Sequence, residues 1–335
     1  MTFSGGVPRD GIPPVDDPQF ESMDEAAAWL EPQSPVLTVD VNGDARPDLV
    51  VGTTTGVLLY LNDGSGDPFD AIPAILLGPA TDDVSTLALG DLDGDSALDL
   101  VVGRSGATTL VYLGDGTGAF TPAAAAPALG SDARSVVIGD VKGSAFADVL
   151  VLEGAGTTIT LFENNGTDDT SGGWLGVAAG VTLTTTVGAT ALLAIGRIDG
   201  DGHLDLFVAS GAVAGADAVL LGVGDGTFVS GVPPGTTGSL AAVLADVDGN
   251  GTLDLVRSTG TGADVALNPG AATWAGFSAA SVVLASGMFV ALAVGDLDGD
   301  ALRAHGLLKA AKVKCTEMPT RADWDRLLGE LPGGD

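Results

Sequence analysis

The chain is poor in the side chains that carry nucleophilic or soft-ligand chemistry. It has one cysteine in 335 residues, which excludes an internal disulfide framework, a cysteine-rich zinc site and a two-cysteine redox motif. Two histidines leave little material for imidazole ligands or a histidine-dependent triad. Aromatic residues amount to 5%, too few for broad exposed stacking surfaces. Lys and Arg number 13 against 44 Asp and Glu, a formal net charge of −31. That balance argues against nucleic acid as a partner, because binding its phosphates needs a basic face. The first twenty residues contain no apolar run of signal-peptide type, so no signal peptide is expected in the chain as given. The longest charge-free stretch, Val265 to Gly295, is interrupted by Pro269 and four glycines, so no membrane span is expected.

What is abundant is glycine, acid and aliphatic residues: 51 Gly and 45% hydrophobic residues, with a mean hydropathy of +0.37. Disorder through excess acid comes with low hydrophobicity, which is the opposite of this balance. The acid must be concentrated while the rest packs.

One segment recurs six times: VDVNGDARPDLVV (39–51), GDLDGDSALDLVV (90–102), GDVKGSAFADVLV (139–151), GRIDGDGHLDLFV (196–208), ADVDGNGTLDLVR (245–257) and GDLDGDALRAHGL (295–307). Counted from Asp40, Asp91, Asp140, Arg197, Asp246 and Asp296, the steps are 51, 49, 57, 49 and 50 residues. A period near 50 marks one supersecondary unit per repeat. Within a period, an apolar run enters the acidic loop and a second leaves it. A third run (56–62, 108–114) leads to a Gly-rich turn with an aromatic, and a weaker fourth (71–78) closes the unit. This predicts an all-β fold, a β-propeller of four-stranded blades, with five full repeats and a partial sixth. The runs are continuously apolar rather than alternating, as expected of strands covered on both faces.

Eighteen of the 44 acids fall in the six loops. In the second copy, Asp91, Asp93, Asp95 and Asp99 occupy loop positions 1, 3, 5 and 9, with Gly94 at position 4. Carboxylates ~4–5 Å apart repel by roughly 3–4 kcal/mol per pair at an effective dielectric near 20, so a compact loop of this composition calls for a cation. The donors are hard oxygens, which favours Ca2+ over zinc or copper. An EF-hand is excluded: position 12 is Val51 or Val102, and the flanks read as strands. The bland alternative, a solvated Asp/Gly turn, is outweighed by six periodic copies with Gly at position 4 each time.

The loop pattern D-x-[DN]-x-[DN]-x-x-x-D between strands, followed by L-x-x-G-x-G-x-F, resembles the FG-GAP/VCBS repeat of integrin-α-type β-propellers, over roughly residues 35–300. The resemblance implies a propeller with calcium in hairpin loops on one rim, a protein or glycan ligand, an adhesion-type role and an extracellular or cell-surface setting. Carried over by position, the first loop offers Asp40, Asn42, Asp44, Asp48 and the Arg46 carbonyl. The second offers Asp91, Asp93, Asp95, Asp99 and the Ala97 carbonyl, and the fifth offers Asp246, Asp248, Asn250, Asp254 and the Thr252 carbonyl. The fourth keeps Asp199, Asp201, Asp205 and the His203 carbonyl, but Arg197 replaces its first acid, so weaker binding is expected. The third carries Lys142 and Ser144 at positions 3 and 5, and Lys142 is expected to pair with Asp140 and Asp148 in place of a metal. The sixth has Ala304 where its last acid belongs, and is expected to be vacant or frayed. Three to four calcium ions are expected in all.

After Asp300 the pattern stops. Residues 301–335 hold six of the 13 basic residues and the only cysteine. Residues 301–314 and 320–331 read as helices, and Ser22-x-x-Glu25 reads as a capping box for a short helix in residues 1–34. Three segments result: 1–34 with a short helix, 35–300 as the propeller and 301–335 as a helical tail. Either a compact or open ring is sealed by the terminal segments, or the repeats are an incomplete copy of a larger propeller. Functionally, a non-catalytic calcium-binding module is expected; the alternatives are an accessory domain of a secreted hydrolase or an incomplete propeller without a ligand. Trp174 and Trp274 take the place of Phe120 and Phe228 of other repeats and are expected in the core.

Overall fold

The structure, a computed structural model, describes residues 35–65, 75–78, 83–123, 129–154, 158–167, 173–183, 192–211, 215–235, 237–260, 262–270, 274–278, 282–286, 291–294 and 310–313. Five four-stranded antiparallel sheets follow one another along the chain. The first blade comprises β1 (Val36–Val39), β2 (Asp48–Thr53), β3 (Gly56–Tyr60) and β4 (Ile75–Leu77). The second comprises β5 (Val84–Gly90), β6 (Asp99–Arg104), β7 (Ala107–Gly114) and β8 (Phe120–Pro122). The third comprises β9 (Ala133–Gly139), β10 (Asp148–Glu153), β11 (Thr158–Phe162) and β12 (Val181–Leu183). The fourth comprises β13 (Leu192–Gly196), β14 (Asp205–Ala209), β15 (Ala218–Gly222) and β16 (Phe228–Ser230). The fifth comprises β17 (Ala241–Ala245), β18 (Asp254–Ser258), β19 (Gly262–Ala266) and β20 (Val282–Ser286). Each sheet runs in simple chain order, an up-and-down meander. The all-β propeller expected from the 50-residue period is what the chain forms.

The second strands explain the continuous apolar runs. Along β6, Leu100 and Val102 point into the core shared with the first blade, whereas Val101 points into the core shared with the third. Along β10, Val149 and Val151 face back toward the second blade, and Leu150 and Leu152 face forward toward the fourth. β14 repeats the split, with Leu206 and Val208 on one side and Phe207 and Ala209 on the other. Strand side chains alternate between faces, and here both faces are interiors, so alternation by polarity has no role. Each fully buried aliphatic side chain contributes about 1.5–3 kcal/mol, and the stability is divided over a series of inter-blade cores. The outer strands are short and wetter: Val181 of β12 and Val229 of β16 are exposed.

The first strands pack side by side, β5 against β9, β9 against β13, and β13 against β17. The opening strand of the partial sixth repeat, β21 (Ala291–Val294), continues the series against β17. It pairs antiparallel with β22 (Ala310–Val313), Val294 opposite Ala310. This corrects the helix expected over 301–314 at residues 310–313, whose backbone groups pair with those of β21 in place of a helical turn. The rest of that helix, those expected around 22–30 and 320–331, and the sixth loop lie outside the described residues. Among the described residues, no helix is long and apolar enough to cross a membrane.

Trp174 is buried in the core between the second and third blades, as expected. Trp274 is partly buried against the core between the fourth and fifth blades, edge-on to Phe277 with ring centroids 5.8 Å apart.

Candidate metal centre

In an antiparallel meander the loop from strand one to two and the turn from strand three to four lie at the same end of the blade. The acidic loops therefore share a rim with the Gly-rich turns. All five loops have one framework. Residue 9 (Asp48, Asp99, Asp148, Asp205, Asp254) begins the second strand and is wholly buried. One of its oxygens accepts the backbone N–H of loop position 2: Val41 at 2.9 Å, Leu92 at 2.6 Å, Val141 at 3.0 Å, Ile198 at 2.6 Å and Val247 at 2.9 Å. The other accepts the N–H of the residue at the end of strand three (Gly114, Gly222) or two beyond it (Asn62, Asn164, Asn268), at 2.7–2.9 Å. This carboxylate ties loop to turn in every blade, a role that its sequence position did not disclose. Position 4 is glycine because the backbone there is left-handed, with φ of +75°, +76°, +72°, +80° and +75° from the first loop to the fifth.

Where position 1 is an aspartate, it caps the loop. Asp40 accepts the N–H groups of Gly43 at 2.7 Å and Ala45 at 2.7 Å, and Asp246 those of Gly249 at 2.7 Å and Gly251 at 2.9 Å. Positions 3 and 5 accept the N–H two residues on, except at Lys142 of the third loop, as in Asp95 to Asp93 at 3.2 Å and Ala97 to Asp95 at 2.7 Å.

The loops diverge in where their carboxylates converge. Among the described residues, two groups of three acids have ligand atoms mutually within 4.8 Å: Asp91, Asp93 and Asp99 in the second loop, and Asp246, Asp248 and Asp254 in the fifth. These are the two complete loops whose sequence contains no Lys or Arg. The other three each carry a cation. In the first, the Arg46 guanidinium pairs with Asp44 at 2.6 Å and donates to the Asn62 carbonyl at 2.9 Å. In the fourth, Arg197 donates to the Gly202 carbonyl at 2.9 Å, while Asp199 and Asp201 accept the N–H groups of Asp201 and His203. In the third, Lys142 pairs with Glu163 from the turn after β11. The pairing expected with Asp140 and Asp148 is corrected in this respect: Asp148 reaches the Lys142 ammonium only through the field, while its oxygens accept backbone N–H groups, that of Lys142 among them at 3.2 Å. Glu163 lies 21 residues beyond Lys142 and outside the loop motif, so no spacing rule pointed to it.

The crowding has electrostatic consequences. Burial, followed by the charge of Asp93, raises the Asp99 carboxyl to about 6 despite N–H donors from Leu92 and Gly114. Burial also raises Asp93, with the neighbouring charges of Asp95 and Asp91 adding to it. Asp254 is raised by burial, with Asp248 contributing. Asp40 is the contrast: its four backbone donors outweigh burial and lower it. An oxygen-only set of crowded carboxylates with raised proton affinity fits a hard divalent cation.

Repeats of the FG-GAP-like type match residues 40–102, 91–151 and 197–257, just over half of the chain. The chain belongs to the FG-GAP-like repeat family. Each match begins at position 1 of an acidic loop and runs to the second strand of the following blade. A second family, described as a protein of unknown function, matches residues 9–47. No curated protein matches the chain. Among solved structures, an Agrocybe aegerita lectin that recognises non-reducing terminal N-acetylglucosamine is similar over 86% of this chain and 76% of its own, with 21% identity and a TM-score of 0.57. BBS1N, solved in complex with ARL6DN, is similar over 78% of this chain and 71% of its own, with 14% identity and a TM-score of 0.52. At these identities the likeness is one of fold, and it places FG-GAP blades in a propeller.

Proposed function

We propose that the chain is a non-catalytic binding module whose loop rim is braced by calcium, held first in the second and fifth loops. One observation carries the reading: only in the two complete loops without an internal cation do three carboxylates of the described residues converge within 4.8 Å. Asp91, Asp93, Asp95 and Asp99 with the Ala97 carbonyl would hold one ion. Asp246, Asp248, Asn250 and Asp254 with the Thr252 carbonyl would hold the other. A bound ion supplies charge neutralisation at these oxygens. The chain's own residues do the rest: Gly94 and Gly249 turn the backbone, and Asp99 and Asp254 fasten the loop to strand three. The first and fourth loops, where Arg46 and Arg197 stand, bind more weakly or not at all, and the third binds none.

The ligand class we propose is a glycan or a protein. The lectin neighbour recognises a terminal sugar and the other neighbour was solved with a protein partner, which supports that choice. A calcium-rich extracellular setting and an adhesion-type role accord with this reading. The test is metal counting on the full chain together with thermal unfolding in calcium and in EGTA. About two ions per chain and a raised midpoint are expected; less than one ion and an unmoved midpoint overturn the proposal. Screening glycans with and without calcium then identifies the ligand class, with calcium-dependent binding as the expected result.

A further inference from the structure

The residue whose N–H meets the buried loop aspartate, at the end of strand three or two beyond it, alternates around the described blades: Asn62, Gly114, Asn164, Gly222 and Asn268. In the even blades glycine is required, because a Cβ would lie 2.2 Å from the Leu98 carbonyl oxygen at Gly114 and 2.1 Å from that of Leu204 at Gly222. In the third and fifth blades the asparagine reaches across the blade boundary. Asn164 donates one side-chain hydrogen to the Ala147 carbonyl of its own loop at 2.8 Å and the other to Leu92 of the second loop at 2.7 Å. Its side-chain oxygen accepts from Gly166 N–H at 2.9 Å and from the Trp174 indole at 3.0 Å. All four hydrogen-bonding capacities of the amide are filled, and the residue is buried. Asn268 repeats the arrangement, donating to the Leu253 carbonyl at 3.2 Å and to Ile198 of the fourth loop at 2.6 Å. Its own carbonyl accepts from Asn250 at 2.8 Å and Thr252 at 2.9 Å.

The placement of these bonds matters. Leu92 lies between Asp91 and Asp93; its N–H is held by Asp99 at 2.6 Å and its carbonyl by Asn164. Asn164 in turn donates its backbone N–H to Asp148, the anchor of the third loop, at 2.8 Å. The acid-rich second loop is thus joined through one buried amide to the third loop, which carries Lys142. The acid-rich fifth loop is joined through Asn268 to the fourth, which carries Arg197. In both pairs one loop has converging carboxylates and the other has its own cation.

We infer that Asn164 and Asn268 are positioning residues that couple neighbouring loops, so that one bound ion orders two blades. The inference rests on the calcium reading given above, with the second and fifth loops as its ion sites. An ion in the second loop fixes the peptide at Leu92, hence Asn164, hence Asp148 and the third loop. An ion in the fifth loop fixes Asn250, Thr252 and Asp254, hence Asn268 and the Ile198 peptide of the fourth. Ions in the second and fifth loops therefore order the third and fourth loops, whether or not the fourth holds an ion of its own.

Hydrogen exchange of the full chain, with and without calcium at about ten times the dissociation constant, tests this. Amides at 92–97 and 247–252 are expected to exchange about tenfold more slowly with calcium, and those at 141–147 and 198–203 to follow. Asn164→Ala is expected to remove the response at 141–147 while 247–252 keeps its own. Should that variant fail to fold, Asp93→Ala, which removes the donor at position 3, serves the same purpose without touching the third blade: it must abolish the response at 92–97 and at 141–147 together, leaving 247–252 intact. Calcium protection confined to 92–97 and 247–252, or a response at 141–147 that survives these substitutions, overturns the coupling while the calcium reading stands. No calcium-dependent protection anywhere, with no ion bound, overturns both.

Discussion

The second and third acidic loops have the same length, the same pairing of their last acid (Asp99 with Gly90, Asp148 with Gly139) and the same left-handed glycine, yet only the second gathers three carboxylates. The third holds Lys142 against Glu163 instead. The two loops therefore share one backbone framework although their acids differ. It is set by Asp99 or Asp148, whose oxygens take buried N–H groups from both sides of the loop. Positions 1, 3 and 5 decide what charge the preformed loop then carries.

Four measurements break or sharpen that comparison. The largest effect is expected from Asp148→Ala, which strands the N–H groups of Val141 and Asn164 in the interior. At about 1–3 kcal/mol per orphaned buried donor, the loss is about 2–6 kcal/mol in denaturant unfolding, with or without calcium. A negligible loss would remove the anchor role. Next, Lys142→Asp rewrites the third loop toward the second. Its metal content is expected to rise by about one ion per chain, with stabilisation near 2.7 kcal/mol at a hundredfold excess of calcium over the dissociation constant. Unchanged stoichiometry would mean that the second loop holds its carboxylates for some reason other than a cation.

A smaller effect distinguishes the loops by pH. Folded Asp99 titrates near 6, above the ordinary 3.8, so between those values the folded chain holds a proton that the unfolded chain has released. Metal-free stability at this group is therefore greatest below about 3.8, is lost as pH rises from there through about 6, and levels off above it, where both states are ionised. Thermal midpoints of metal-stripped protein should show this slope, and Asp99→Asn should flatten it. The smallest effect concerns position 6, where Ser96 and Ala145 have φ of +73° in a region that favours glycine. Ser96→Gly and Ala145→Gly should each be neutral to stabilising, by no more than about 1 kcal/mol; an equal response in both loops would show again that the framework is shared.

Much of this was legible in the chain itself. The 50-residue step, the runs DLVVG, and the recurring glycine at position 4 suffice for a propeller with acidic hairpin loops, because each is a local pattern and each blade repeats it. The burial of both strand faces was legible too, in the lack of polar alternation along LVV and VLVL. The helix expected over 301–314 fails at 310–313 for a physical reason: AAKV favours a helix by propensity, but propensity is weak over a few residues, and pairing with β21 overrides it.

The sequence by itself determined which loops contain carboxylates, how they are spaced and where the backbone must turn left-handed, since spacing and φ are properties of neighbours along the chain. Only the tertiary structure decided which carboxylates meet. Arg46 folds back onto Asp44, Glu163 crosses from another turn to Lys142, and Asn164 spans 72 residues to hold the Leu92 carbonyl. Charge partners and inter-blade hydrogen bonds are set by distance in space, and the 50-residue repeat says that two blades are adjacent without saying which polar atoms face each other across the boundary.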